Sequence, residues 1–201
     1  MARSSPSGRR TVFVQLGSGR LLHWNGSTWT AYPNPYGRGK LAAVGTQLWR
    51  IENATVDRRP NRLIVQTWTG SAWRTMSSPH PVVVADADLS ASSPRNVLVE
   101  IMNVRRQDAR LLRWNGRVWS ELNSPSGWLV NHPGAAAAGT ASVWIDAGIA
   151  LWSDGKWQAA DGFCGNVTAV PGTKSSLCAG GDQPGTGPRT YGVILQNGPL
   201  R

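Results

Sequence analysis

Leu111-Leu112-Arg113-Trp114-Asn115-Gly116-Arg117-Val118-Trp119 is the stretch on which the fold of this chain turns. It consists of an apolar run, a Trp, a turn pair ending in Gly, and a second Trp. Asn-Gly between apolar runs is a strong hairpin signal, because a tight primed turn needs positive φ at its centre. Two short antiparallel strands follow. The paired Trp residues flank the turn, where they can cover each other or pack on the next unit.

Working outward, the phrase recurs along the chain. It stands at Leu21-Leu22-His23-Trp24-Asn25-Gly26-Ser27-Thr28-Trp29, and in a longer form from Leu63 to Trp73 with Trp68, Gly70 and Trp73. A further copy is Ile149-Ala150-Leu151-Trp152-Ser153-Asp154-Gly155-Lys156-Trp157, and a degenerate one runs from Val193 to Leu200. The turn glycines 26, 70, 116, 155 and 198 are 44, 46, 39 and 43 residues apart. Eight of the 11 Trp residues belong to the phrase, which excludes chance as its origin.

Two further strand-like segments precede most hairpins. They are 41–44 and 47–51, 82–85 and 96–100, 128–130 and 142–145, and 167–170 and 176–179. Trp49, Leu98, Trp144 and Cys178 occupy equivalent places in them, with Phe13 in the first unit. Four strands in roughly 40–45 residues is the signature of a propeller blade. Gly and Pro in every unit, and no 3.6-residue period, exclude a helical solenoid. The Ala135–Ala138 run, between Pro133-Gly134 and Gly139, reads as loop or strand.

The expected fold is therefore all-β: a small β-propeller of about five four-stranded blades whose terminal blades are incomplete. Residues 1–10 form a basic polar segment, and 11–201 the propeller, in units of about 11–40, 41–81, 82–127, 128–165 and 166–201. An open meander or a sandwich is the structural alternative. Residues 3 to 10, a partner chain or a second copy could complete the ring.

Bulk composition agrees with many short strands. The 201 residues include 23 Gly and 13 Pro, and charged residues make up only 16%, against about 25% in typical domains. The net charge is +10, and 18 of the 21 basic residues are Arg. That balance suggests an acidic partner, although an Arg bias can also reflect genome composition. Cys164 and Cys178 match no zinc or haem spacing; they could pair or stay buried thiols. No run approaches the length of a membrane span, and Met1–Arg10 lacks the apolar stretch of a secretory leader. As written the chain is expected in the cytoplasm, or outside the cell if a leader has been removed.

The phrase around Trp114, with Asn123-Ser124-Pro125 after it, resembles the repeats of kelch-like and sialidase-like β-propellers of actinobacteria. Ser90-Ala91-Ser92-Ser93-Pro94-Arg95-Asn96-Val97-Leu98 is similar to their lead-in, with Asn96 where that pattern has Asp and Leu98 where it has Trp. Ser153-Asp154-Gly155-Lys156-Trp157 is similar to a shortened Asp-box, a structural turn. The resemblance implies a binding, adhesion or interaction module; a minority of such proteins are enzymes, and fold alone does not choose.

In a propeller the loops between second and third strands, and those between blades, gather on one face. Here they hold Arg20, Arg38, Lys40, Arg58, Arg59, Arg62, Arg105, Arg106, Arg110 and Arg189. Long loops on a rigid scaffold are where binding usually resides. Arg58, Arg59, Arg62, Arg105, Arg106 and Arg110 are the central candidates, with Arg38 beside them, since the guanidinium fork grips phosphate or carboxylate through two hydrogen bonds. Tyr36 and Trp128 are the candidate functional aromatics; Trp24, Trp68, Trp73, Trp114 and Trp119 read as packing between blades.

No nucleophile elbow and no phosphate-binding loop is present, and only 3 Glu and 8 Asp are available. His23, His80 and His132 are scattered, and His23 reads as structural beside Trp24. Asp86-Ala87-Asp88 could hold a cation but reads better as a turn. The expectation is a non-enzymatic binding or assembly module without cofactor or metal, docking an acidic protein surface. A glycan is the alternative partner, with nucleic acid or sialidase-like chemistry behind it.

Overall fold

The structure, a computed structural model, describes residues 12–32, 39–44, 46–54, 62–76, 86–103, 108–123, 135–145, 150–159, 166–169, 176–179 and 194–197. Every element among them is a strand, and the strands form five antiparallel sheets in chain order. The first sheet joins β1 (Val12–Gln15), β2 (Leu21–Trp24) and β3 (Trp29–Tyr32). The second joins β4 (Lys40–Val44), β5 (Gln47–Ala54), β6 (Arg62–Trp68) and β7 (Trp73–Met76). The third holds β8 (Asp86–Ser93), β9 (Asn96–Asn103), β10 (Asp108–Trp114) and β11 (Trp119–Leu122). The fourth holds β12 (Ala135–Ala138), β13 (Ser142–Ile145), β14 (Ala150–Ser153) and β15 (Lys156–Ala159). The fifth holds β16 (Asn166–Ala169), β17 (Ser176–Ala179) and β18 (Ile194–Asn197).

Strand register confirms the repeat. Trp49 lies opposite Thr67, Leu98 opposite Arg113, Trp144 opposite Leu151, Phe13 opposite His23 and Cys178 opposite Leu195. Each partner immediately precedes the hairpin Trp, or Gln196 in the fifth unit. The five positions read as equivalent from sequence are therefore equivalent in space. By the same register the first sheet carries the second, third and fourth strands of a unit, and the fifth sheet the first three.

The hairpins follow one plan with a shift. Trp24 faces Trp29, Trp68 faces Trp73, Trp114 faces Trp119 and Trp152 faces Trp157 across the ladder. The first three ring pairs have centroids 5.4, 5.5 and 5.6 Å apart. In the fourth hairpin Asp154 (φ 55°) and Gly155 (φ 81°) are both left-handed, as the turn-pair reading expects. In the other three only the glycine is, at φ 101°, 100° and 97°. There Gly opens the two-residue loop, a II′ pattern, and Asn25 or Asn115 sits one place earlier. Freed from the turn centre, the Asn side chain works as a clamp. Asn115 Oδ1 accepts the N–H groups of Arg117 (2.9 Å) and Val118 (3.0 Å), and Asn25 Oδ1 does the same for Ser27 and Thr28.

Sheets pack face to face through alternating residues. On β9, Val97, Val99 and Ile101 bury against Trp49, Ile51, Leu63 and Val65 of the second sheet. Leu98 faces the other way and packs with Val143, Ile145 and Ala137 of the fourth. Leu48 and Trp68 pack on Leu21, Phe13 and Tyr32 of the first sheet. A fully buried aliphatic side chain contributes roughly 1.5–3 kcal/mol, so these junctions hold the chain together. Trp68, Trp73, Trp114 and Trp119 pack at junctions, as expected from their period. Trp24 does not join the same kind of junction; it lies against Trp29, which is exposed.

Three local expectations change. The first strand of the third unit is β8 at Asp86–Ser93, where 82–85 was expected; 82–85 lies outside the described residues. Asp86-Ala87-Asp88 is consequently strand, not turn: Ala87 is buried, and exposed Asp88 pairs with Lys40 at 2.8 Å. In the fourth unit the first strand is the Ala135–Ala138 run, whose small side chains let β12 lie close to β8 and β9. The segment expected there, 128–130, is outside the described residues.

Candidate functional site

The second, third and fourth sheets run in the same sense: Lys40 at the start of β4 pairs with Asp88 near the start of β8, and the turn ends of the third and fourth sheets touch. Ser92 Oγ, near the β8–β9 turn, donates to Gly139 O at the β12–β13 turn (2.7 Å). The opposite ends carry the connections between second and third strands and between sheets. At that end β5 and β6 run on past their neighbours, to the pairing of Ala54 with Arg62, whereas β4 begins opposite Ile51 and β7 ends opposite Val65. In the third sheet β9 and β10 reach the pairing of Asn103 with Asp108, one residue past the pairing of Asp86 on β8 with Met102. The second sheet thus sends a two-stranded ribbon toward this end, and the third sheet ends close to its first strand.

Of the expected binding residues, Arg62 opens β6 on the ribbon of the second sheet, and Arg110 lies on β10 opposite Ile101, which β8 also pairs through Ala87. The Arg110 guanidinium is about one-third exposed and lies 3.7 Å from the Glu121 carboxylate, a loose ion pair. Arg38, Tyr36, Arg58, Arg59, Arg105, Arg106 and Trp128 lie outside the described residues, as does Cys164. Lys40, grouped by sequence with the loop cations, belongs to strand β4, and its pairing with Asp88 offsets its charge.

Two other arginines are interior. Arg50 is fully buried between the first and second sheets, with its guanidinium carbon 6.0 Å from the Trp73 ring centroid. Arg113 is nearly buried and lies 5.0 Å from the ring centroid of Trp152 on the next sheet. Burial lowers the Arg113 pKa, since desolvation disfavours the charged form.

Arg113 belongs to a polar cluster that the sequence reading did not single out. Its Nε donates to Asn96 Oδ1 at 2.7 Å. The Asn96 carboxamide nitrogen lies within donating distance of Ser92 Oγ (2.9 Å), Ala138 O (3.0 Å) and Ser142 O (2.8 Å). The orientation is forced, because an arginine can only donate and a carbonyl can only accept. Ser90 Oγ accepts the N–H of Ala137 (2.7 Å), and Glu100 Oε2 accepts that of Ala135 (3.1 Å). The serine-rich lead-in is a staple between third and fourth sheets. A run of polar residues where a buried strand should be apolar was the signal that could have found it.

His23 is likewise held in structural contacts. It stacks on Phe13 (centroids 4.5 Å, 17° between planes), and its Nδ1 lies 3.1 Å from Tyr32 Oη. Among the described residues no three His, Cys, Asp or Glu side chains cluster as metal ligands, and no helix is long and apolar enough to cross a membrane. The arrangement offers a two-stranded ribbon at one end of the second sheet and cross-sheet polar contacts near the other end of the third and fourth.

No protein-family model matches the sequence, and no curated protein matches it. Among solved structures the chain is similar to the fucose-binding lectin of Aleuria aurantia, described as a six-bladed β-propeller, at 13% identity and a TM-score of 0.47. That alignment covers 84% of this chain and 65% of the lectin, so this chain spans just under two thirds of its length. A mercury-derivative form of the lectin aligns at 13% identity over 92% of this chain and 73% of its own, with a TM-score of 0.48. A mutant of it, in complex with Fucalpha1-6GlcNAc, gives 13% identity and 0.47 over 84% and 66%.

Proposed function

We propose that this chain is a non-enzymatic, propeller-type binding module whose ribbon end takes an anionic glycan. The observation that carries the reading is the placement of Arg62 on the ribbon of the second sheet and of Arg110 on β10 of the adjacent third sheet, toward the same end. The connections these strands adjoin contain Arg58 and Arg59, and Arg105 and Arg106. Four guanidinium groups in two short connections suit a ligand that repeats a carboxylate or sulfate, because each fork can bind one such group with two hydrogen bonds. Tyr36 and Trp128 fall in connections between sheets and supply flat rings for the C–H face of a sugar. Those rings put a glycan ahead of an acidic protein surface, which needs only the charge.

The test is a glycan array carrying sulfated, uronic, sialylated and neutral fucosylated structures, read at low and high salt. Wild-type protein is expected to retain acidic glycans at low salt and to release them as salt rises, in the manner of charge-driven binding. A variant with Arg58→Glu, Arg59→Glu, Arg105→Glu and Arg106→Glu should lose that retention while keeping its melting temperature. Equal retention by the variant, or no acidic glycan bound at low salt, overturns the reading. Salt-insensitive binding of neutral fucosylated glycans would keep the lectin function and discard the arginine site.

A further inference from the structure

Asn25-Gly26 and Asn115-Gly116 are Asn-Gly pairs whose whole turns lie among the described residues. In both the glycine has positive φ, 101° and 97°. An Asn before Gly is open to attack by the next backbone nitrogen on its own side chain, because the glycine carries no Cβ to stand in the way. The two turns share one backbone plan and differ in what surrounds the asparagine.

At Asn25 the side-chain oxygen accepts three donors, the N–H groups of Ser27 and Thr28 and the Ser27 hydroxyl, each at 2.9 Å. At Asn115 it accepts two, the N–H groups of Arg117 (2.9 Å) and Val118 (3.0 Å). Both assignments are forced, because a backbone N–H can only donate. Donors gathered on a carbonyl oxygen stabilise the negative charge it acquires when its carbon is attacked, as in an oxyanion hole. The glycines differ as well. A Cβ on Gly26 would meet nothing within 4 Å, whereas on Gly116 it would lie 2.7 Å from Arg95 Cγ and 3.3 Å from Arg95 Cβ. The stem of Arg95 therefore lies over Gly116, and the backbone movement that brings a glycine nitrogen onto Cγ is free at one turn and obstructed at the other.

We propose that Asn25 is a site of spontaneous conversion to aspartate and isoaspartate, and that Arg95 shields Asn115 from the same reaction. The Gly26 nitrogen gives its proton to hydroxide and bonds to Asn25 Cγ. The Cγ–Nδ2 bond then breaks, and Nδ2 takes a proton from water and leaves as ammonia. Water, to which Asn25 and Gly26 are exposed, opens the cyclic imide at either carbonyl. Opening at the side-chain carbonyl gives aspartate, whose carboxylate still accepts the same donors. Opening at the backbone carbonyl gives isoaspartate, which adds a methylene to the main chain between Trp24 and Trp29 and disturbs their pairing.

The full chain is held in mildly alkaline buffer, folded or in urea, and its proteolytic peptides are followed by mass, with isoaspartate scored by its separate elution. In the folded chain Asn25 should convert at least about tenfold faster than Asn115, since single oxyanion donors are worth more than that in enzymes. In urea the two should convert alike. Ser27→Ala removes the hydroxyl donor and should slow Asn25 several-fold in the folded chain only. Arg95→Ala should accelerate Asn115 and leave Asn25 unchanged. Equal conversion of the two in the folded chain, conversion of Asn25 in urea alone, or a wild-type rate in folded Ser27→Ala overturns the reactive turn. An Arg95→Ala chain whose Asn115 keeps its wild-type rate overturns the shield.

Discussion

Replacing Asn96 tests whether the third and fourth sheets are held by directed hydrogen bonds or by apolar packing alone. Asn96 is fully buried, and its amide serves two masters: its oxygen receives Arg113, and its nitrogen reaches Ala138 O and Ser142 O on the neighbouring sheet. Asn96→Ala strips a nearly buried guanidinium of its acceptor. A hydrogen bond to a charged group is worth about 1.5–3 kcal/mol, and each carbonyl left dry costs about 1 kcal/mol more. The sum is a loss of roughly 3–5 kcal/mol, a large share of the 5–15 kcal/mol typical of a domain. Asn96→Asp is the sharper probe. A carboxylate still accepts from Arg113 but cannot donate, and it sets an oxygen against two carbonyl oxygens at hydrogen-bond distance. Loss of about 2–4 kcal/mol is expected, with no rescue by the retained charge pair. The assay is urea unfolding followed by Trp fluorescence, with the midpoint shift converted through an unchanged m-value. Were Asn96→Asp to match wild type within about 0.5 kcal/mol, the amide's donation across the junction would contribute nothing and the staple would be no more than an arginine anchor.

Other positions give clean expectations. A Cβ on Gly39 would lie 2.6 Å from Ile51 O and 2.7 Å from Arg50 Nε, so Gly39→Ala should destabilise by about 1–3 kcal/mol, whereas Gly17→Ala, which meets nothing within 4 Å, should change little; paired thermal melts check both. Trp68→Ala, at 7% exposure between Leu21 and Leu48, should cost about 3–5 kcal/mol in denaturant unfolding. Asp88→Ala removes an ion pair whose partners are 43% and 63% exposed, so its loss should stay below about 1 kcal/mol and vanish in high salt.

Much of the architecture was readable along the chain because a blade strand writes its position locally. A Trp-x4-Trp hairpin with a central Gly is recognisable wherever it falls, and its four copies with the degenerate fifth place Trp49, Leu98, Trp144, Phe13 and Cys178 in register without any knowledge of tertiary contacts. First strands were harder to locate. Two of them, Asp86–Ser93 and Ala135–Ala138, hold no β-branched residue, so β-branching does not mark them. The Asp86-Ala87-Asp88 triplet looked like a turn because its carboxylates suggested solvent; a strand with one exposed face satisfies the same chemistry. The candidate binding end was legible as a set of arginines, but only the ladders showed that Arg62 rides on a ribbon outrunning its sheet while Arg110 lies within the body of the next.

The repeat, the all-β class and the pairing of the hairpin tryptophans come from the linear order of residues, since turn chemistry and side-chain alternation act over a few positions. Which arginines are rim and which are core does not. Arg113 and Arg110 sit three residues apart on one strand; one is buried against Asn96 and Trp152, and the other stays partly open beside Glu121. That difference arises only when a second sheet covers one face of the strand, because burial is set by neighbours distant in the chain.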